Sequence, residues 1–167
     1  CYILTEESNA MTLPFHILST ACPLQDAAKS QLGHKTRTER WVSILDLHLT
    51  HAKASTSSLE IKAAQRTAFQ RFLSNENMNH DDLLEAHFLA TAQRAEEVGS
   101  VLVVHDTTLC SFELTPGKPR KHMPTPSRKT QSFCWHPSLV LAADGSRAPL
   151  GLVASRPFAH LDALDDE

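Results

Sequence analysis

The sequence predicts an α+β fold, with an N-terminal helical half followed by antiparallel strands. Apolar residues recur at spacings of three and four through residues 36–95, the period of helices that bury one face. From Val101 onward that period gives way to short apolar runs, Val101-Leu102-Val103-Val104 and Leu139-Val140-Leu141-Ala142 among them. Asp144-Gly145, placed between two such runs, is a strong signal for a tight hairpin. A chain of 167 residues, 41% hydrophobic, can bury one sizeable core, or a core plus a small helical subdomain.

Residues 1–10 look unlike the rest. Ser8-Asn9-Ala10-Met11 reads as a cloning scar ahead of a start at Met11, so this tail is set apart from the fold. Residues 24–32 are mixed in character and partly helical. Over 36–51, Trp41, Ile44, Leu45, Leu47 and His48 alternate with Arg37, Glu39, Arg40 and Asp46, which predicts an amphipathic helix. A Ser/Thr-rich break over 52–58 separates it from a second helix over 60–73, whose apolar face is Ile61, Ala64, Ala68, Phe69 and Phe72. Ser74-Asn75-Glu76-Asn77 ends that helix as a turn. The third helix opens at Asn79 or His80, carries Asp81 and Asp82 where its dipole favours acids, and closes at Gly99. Strands then follow at 101–106, 133–142 and 149–154, giving three helices and a β-β-β meander.

Composition narrows the function classes. No apolar run reaches the 18 or so residues of a membrane span, and no basic run ahead of an apolar core marks a signal peptide. The four cysteines form no CxxC pair, so reduced thiols in the cytoplasm are expected rather than a structural zinc. His48 and His51 lie on one helix without a third ligand spaced to join them. The net charge of −3 conceals a segregation. Residues 34–71 hold seven basic side chains against three acidic, a net of +4, and residues 113–130 hold five against one, again +4. Two basic blocks on an acidic chain suggest local contact with a polyanion, the plainer alternative being solvated faces.

The run from Val101 to Val104 ends on His105-Asp106-Thr107-Thr108. Four aliphatic residues in a row predict a buried strand, and a carboxylate at its tip is costly unless it meets a cation or several donors. Metal-dependent phosphoryl transfer needs a carboxylate held on such a rigid element. The simpler role is to begin a turn through a side chain-to-backbone bond.

Four segments stand in a fixed order over residues 24–158. They are Leu32-Gly33-His34-Lys35-Thr36-Arg37-Thr38-Glu39-Arg40, then Ala64 with Phe69-Gln70-Arg71-Phe72-Leu73-Ser74-Asn75, then Val101 through Thr108. The fourth is His136-Pro137-Ser138-Leu139-Val140-Leu141 with Asp144-Gly145 and Pro149-Leu150-Gly151-Leu152. In this order they resemble the bacterial DDE transposases of the cut-and-paste insertion-sequence group to which transposon five belongs. That group's patterns are LGD-basic-R-x-x-R, A-x-Y-R-F-x-x-N, an apolar run closed by D-T-T, and H-x-S-L-x-L…D-G…P-L-G-L. The departures are His34 for the family's Asp, arginines reduced to Thr36-Arg37, Phe69 for Tyr, and Gln70 displacing an Arg by one position.

The resemblance implies a helical DNA-binding subdomain over 11–99 and the first three antiparallel strands of an RNase H-like core over 100–158, with an acidic tail over 159–167. It implies that Asp106 is catalytic and is the first metal ligand of a two-metal site for Mg²⁺ or Mn²⁺. In the family a second Asp and a Glu come later in the sequence. Asp162, Asp165, Asp166 and Glu167 read instead as a solvated tail, so the chain alone is expected to be inactive. The implied partner is double-stranded DNA at transposon ends, with a homodimer in the DNA complex, in the bacterial cytoplasm and without a membrane. The alternative is a stand-alone DNA-binding or regulatory module derived from such an enzyme, acting without catalysis.

The expected DNA contacts are Lys35, Arg37, Arg40, Arg66 and Arg71, with Lys118, Arg120 and Lys121 in a Pro-rich loop. Arg37 and Arg40, three apart, share one helix face and could straddle adjacent phosphates, or could pair with Glu39 and Asp46. The loop is either a clamp over a substrate strand or a solubilising segment. Trp41 and Trp135 are expected in cores. His105 is expected on the face of its strand opposite Asp106, and His136 in a structural role or beside a nucleic-acid strand.

Overall fold

A computed structural model describes residues 22–53, 59, 61–114 and 130–158. Within them the chain is a mixture of helices and antiparallel strands, an α+β arrangement. It divides into two compact units between Arg94 and Ala95.

The first unit contains α1 (Pro23–Ala28), α2 (Lys35–Thr50), α3 (Ala63–Leu73) and most of α4 (His80–Val98). The three longer helices fall on the three predicted ones, and α1 starts one residue ahead of the stretch read as partly helical and ends inside it. The predicted start of the second helix at 60 is too early. Ile61 lies ahead of α3 but still packs on the core, so its spacing imitates one more helical turn. Leu32, Ile44, Phe69 and Phe72 form that core, with Trp41, Leu47, Met78 and Leu83 around them. Trp41 stacks on Phe72 with centroids 6.3 Å apart and donates its indole N–H to the Leu83 carbonyl at 3.1 Å. This gives it the core role expected of it.

The caps of α4 explain its sharp ends. The Asn79 side chain accepts from the Asp82 N–H at 2.8 Å, and the Asp82 carboxylate accepts from the Asn79 N–H at 3.2 Å. Two donors left over at a helix start are thereby satisfied reciprocally. At the other end Gly99 takes φ +81°, a left-handed conformation that a side chain would strain, and its N–H reaches the Ala95 carbonyl at 2.9 Å.

A charged cluster that the sequence reading missed ties α1 to α4. Asp26 and Arg94 are both buried, and Arg94 donates to the two carboxylate oxygens at 3.2 and 2.9 Å. His87 sits 2.8 Å from the same carboxylate, and the Thr91 hydroxyl accepts from Arg94 at 3.1 Å. Burial alone would raise the Asp26 pKa. The hydrogen bonds and charges of Arg94 and His87 outweigh it and hold the carboxyl below its usual range.

The second unit is a sheet against the last turn of α4. Its strands are β1 (Val101–His105), β2 (Thr108–Glu113), β3 (Thr130–Ala142) and β4 (Pro149–Phe158). β3 pairs antiparallel with each of the others. β1 runs from Val101↔Ala142 to His105↔Ser138, and β2 from Thr108↔Trp135 to Glu113↔Thr130. The two share one unbroken register, so they are collinear segments of a single row. Residues 138–141 of β3 pair with β1 and β4 at once, which puts β4 on the other edge. The sheet therefore has three rows.

The predicted first strand ended at Asp106 and left out β2. In the structure β1 stops at His105, and the row resumes at Thr108. The break lies opposite Pro137. Asp106 donates its N–H to the Pro137 carbonyl at 3.4 Å, but proline has no N–H to return the bond. Val140, Ala142 and Leu150 form the core of this unit with Ala95, Val98, Val101, Ala148 and Val153. The expectation that the Val101–Val104 run is buried fails, because Leu102, Val103 and Val104 are 41–46% exposed. This row is an edge of the sheet among the described residues. The Asp144-Gly145 turn is also wider than a two-residue hairpin. Asp144 accepts from the Ser146 N–H and hydroxyl at 3.0 and 2.6 Å, and the ladder closes only where the Ala142 N–H meets the Ala148 carbonyl. Those Ser146 bonds hold the Asp144 carboxyl below its usual range.

Candidate nucleic-acid groove and carboxylate

The basic residues of two well-separated segments meet between α2 and α3. A groove of about 500 Å³ is lined by Thr36, Arg37 and Arg40 from α2 and by Ala64, Thr67, Ala68, Arg71 and Phe72 from α3, with Asn75 in the turn that follows. Local geometry holds the two α2 cations there. Gly33 takes φ +76° just ahead of α2, and a Cβ on it would sit 3.4 Å from an Arg37 guanidinium nitrogen. That nitrogen donates to the Leu32 carbonyl at 3.2 Å, which anchors a side chain that lines the groove. Arg40 lies over the Phe69 ring, 5.9 Å from its centroid, a cation–π contact that orients it without neutralising it. Arg71 is exposed at the rim. Neither Arg37 nor Arg40 pairs with Glu39 or Asp46 among the described residues. Lys35 takes Glu39 instead, at 3.6 Å in an exposed i,i+4 pair that is weak in water.

Not every expected contact joins the groove. Lys35 points outside it. Arg66 is half-buried and donates to the Leu59 carbonyl at 2.9 Å, tethering the segment ahead of α3. Lys118, Arg120 and Lys121 lie outside the described residues, as do the tails over 1–10 and 159–167. Thr67 was overlooked as a lining residue. The signal was there: Ala64, Thr67, Ala68 and Arg71 recur at spacings of three and four along α3, and small residues on a face beside a cation leave room for a ligand. His34 occupies the N-cap of α2, its ring nitrogen accepting from the Thr36 N–H at 3.3 Å. It fills the capping role that aspartate performs better.

Asp106 lies at the break in the β1–β2 row, exposed to solvent. One carboxylate oxygen accepts from the Thr107 N–H at 2.9 Å, the side chain-to-backbone bond of the simpler expectation. An exposed carboxylate oxygen is a ligand of the kind Mg²⁺ or Mn²⁺ takes. The fit is that of one ligand, since no group of three His, Cys, Asp or Glu side chains among the described residues could hold a metal. His105 and Thr107 face the other way. His105 Nδ1 is 2.8 Å from the Ser138 hydroxyl, and the Thr107 hydroxyl is 2.7 Å from His136 Nδ1. Trp135 donates its indole N–H to the Ser155 hydroxyl at 2.7 Å and is half-buried. Cys22, Cys110 and Cys134 are free thiols. No described helix is long and apolar enough to cross a membrane.

No protein-family model matches the sequence, and no curated protein matches it significantly. The functional reading therefore stands on the residues and their geometry.

Proposed function

We propose that this chain is the DNA-gripping and core-opening portion of a bacterial DDE transposase. The observation that carries the reading is the groove. Arg37, Arg40 and Arg71 with Asn75 come from the two N-terminal segments that bear the transposase resemblance, and they converge on one surface. Cations on two helices, with an asparagine amide beside them, suit a phosphate backbone, which positions a duplex without reading its sequence. In this reading the helical unit is the DNA-binding subdomain for transposon ends. The three-row sheet is the opening of an RNase H-like core, and Asp106, midway along its first row, is the first carboxylate for Mg²⁺ or Mn²⁺. One carboxylate cannot hold two ions, so strand cleavage requires carboxylates beyond Asp106.

Fluorescence anisotropy with short labelled duplexes across a salt series tests the groove. If three arginines each neutralise a phosphate, Arg37→Ala/Arg40→Ala/Arg71→Ala should flatten the log K against log salt slope by roughly 2.7. An unchanged slope, or no duplex binding by the unaltered chain at low salt, would refute the reading. A regulatory DNA-binding module is the second reading, favoured by a groove built wholly from the first unit. Mn²⁺ binding separates them: broadening of amide signals around Asp106 that Asp106→Asn abolishes favours the first reading, and its absence in the unaltered chain favours the module, which has no use for that carboxylate.

A further inference from the structure

The sheet face opposite Asp106 carries a second set of polar groups that neither the groove nor the carboxylate uses. The register aligns Thr107, His136 and Arg156 across the three rows, with His105 and Ser138 beside them. The His105 and His136 rings stack 5.8 Å apart with planes 9° from parallel. Each Nδ1 is occupied, His105 by the buried Ser138 hydroxyl and His136 by the Thr107 hydroxyl. Among the described residues neither Nε2 has a protein partner, and exposed Arg156 makes no ion pair. The nearest carboxylate in sequence, Asp106, points to the other face.

When a hydroxyl donates to Nδ1, the neutral ring must carry its proton on Nε2. With Ser138 and Thr107 as the donors, and equally when the rings are protonated, both imidazoles present an N–H at Nε2 beside a guanidinium. Strand spacing of roughly 4.8 Å brings these groups within about 10 Å of one another. Donors without acceptors, next to a fixed positive charge, disfavour a metal cation and suit an anion with several oxygens. We propose that His105, His136 and Arg156 form a phosphate-binding site whose ligand is a phosphodiester of a nucleic-acid strand. The site depends on the transposase reading only for the source of that phosphate.

The test follows histidine Cε1–H and Cδ2–H signals of the full chain by NMR, with His105→Gln and His136→Gln assigning them among the ten histidines. Inorganic phosphate should shift these two sets saturably while the other histidines move little. Arg156→Gln should weaken that response at least tenfold with an unchanged thermal melt, and Arg156→Lys should restore part of it. A short single-stranded oligonucleotide should give the same shifts at lower concentration than inorganic phosphate. No saturable shift, or an Arg156→Gln response equal to the unaltered chain, overturns the site. A response to inorganic phosphate alone overturns the nucleic-acid source. The Arg37→Ala/Arg40→Ala/Arg71→Ala variant should respond normally here, so failure of the groove and failure of this site are separately visible.

Discussion

Asp26→Asn is expected to destabilise the helical unit severely, by stranding a buried guanidinium. In the intact protein the Asp26 and Arg94 side chains are only 3% and 10% exposed, and the carboxylate takes two hydrogen bonds from Arg94 and a third contact from His87. Removing one partner of such a buried pair costs about 3–5 kcal/mol, a large share of the roughly 5–15 kcal/mol available to a typical domain. At about 4 °C or more per kcal/mol for a unit of this size, the melting temperature should fall by at least about 12 °C. The pH dependence has a definite sign. The hydrogen bonds from Arg94 and His87 hold the folded Asp26 carboxyl below the ordinary aspartate value of 3.8, so its stabilisation is fully present above that pH and fades as pH falls through the lower folded value. The gap between wild type and variant should therefore close only in acid. Urea unfolding followed by Trp41 fluorescence in a Trp135→Phe background, from pH 7 to pH 3, measures it. Asp26→Asn/Arg94→Met should regain part of the loss, because no charge is left buried. A single-variant penalty below about 0.5 kcal/mol at pH 7, or one that persists unchanged in acid, would refute a desolvated ion pair.

Three smaller perturbations test other parts of the molecule. His34→Asp should stabilise α2 by about 0.5–1 kcal/mol, read as a higher urea midpoint, because aspartate is the better N-cap and its charge suits the helix dipole. Gly99→Ala should cost about 1 kcal/mol from the left-handed backbone alone, since an added Cβ would meet nothing within 4 Å; a loss above about 3 kcal/mol would reveal an unrecognised clash. Asp106→Asn keeps an oxygen for the Thr107 N–H, so stability should change by less than about 0.5 kcal/mol. The same change should abolish Mn²⁺-induced broadening of neighbouring amide signals, and persistence of that broadening would place the ion elsewhere.

Much of the fold was legible because its cues are local. Asn79 and Asp82 announce the start of α4 and Gly99 its end, through bonds that span only a few residues. The spacing of Trp41, Ile44 and Leu47, like that of Phe69 and Phe72, marks the faces that pack in the first core. The errors arose where a residue far away in sequence decides the outcome. Pro137 interrupts the row at Asp106, and nothing near Asp106 in sequence signals it. β2 was overlooked because Thr108–Glu113 alternates too weakly to declare a buried face, and most of it is indeed exposed.

The candidate site divides in the same way. The cations at Arg37, Arg40 and Arg71 could be picked out from charge blocks and motif order. Only packing showed that they share a groove while Arg66 serves the Leu59 backbone. His105 was correctly expected on the face opposite Asp106, because alternation along a strand is a local rule. Its partners Ser138 and His136 depend on cross-strand register.

By itself the sequence determined the helical and strand halves, the helix ends, and which residues carry the charges that a polyanion would meet. Tertiary structure alone decided that Asp26 and Arg94 bury their charges together, that β1 and β2 form one row, and that cations from α2 and α3 face a common space. The physical reason is range. Periodicity, capping and backbone conformation act over one or two turns of chain, whereas burial, register and convergence of charge are set by residues that become neighbours only when the chain folds.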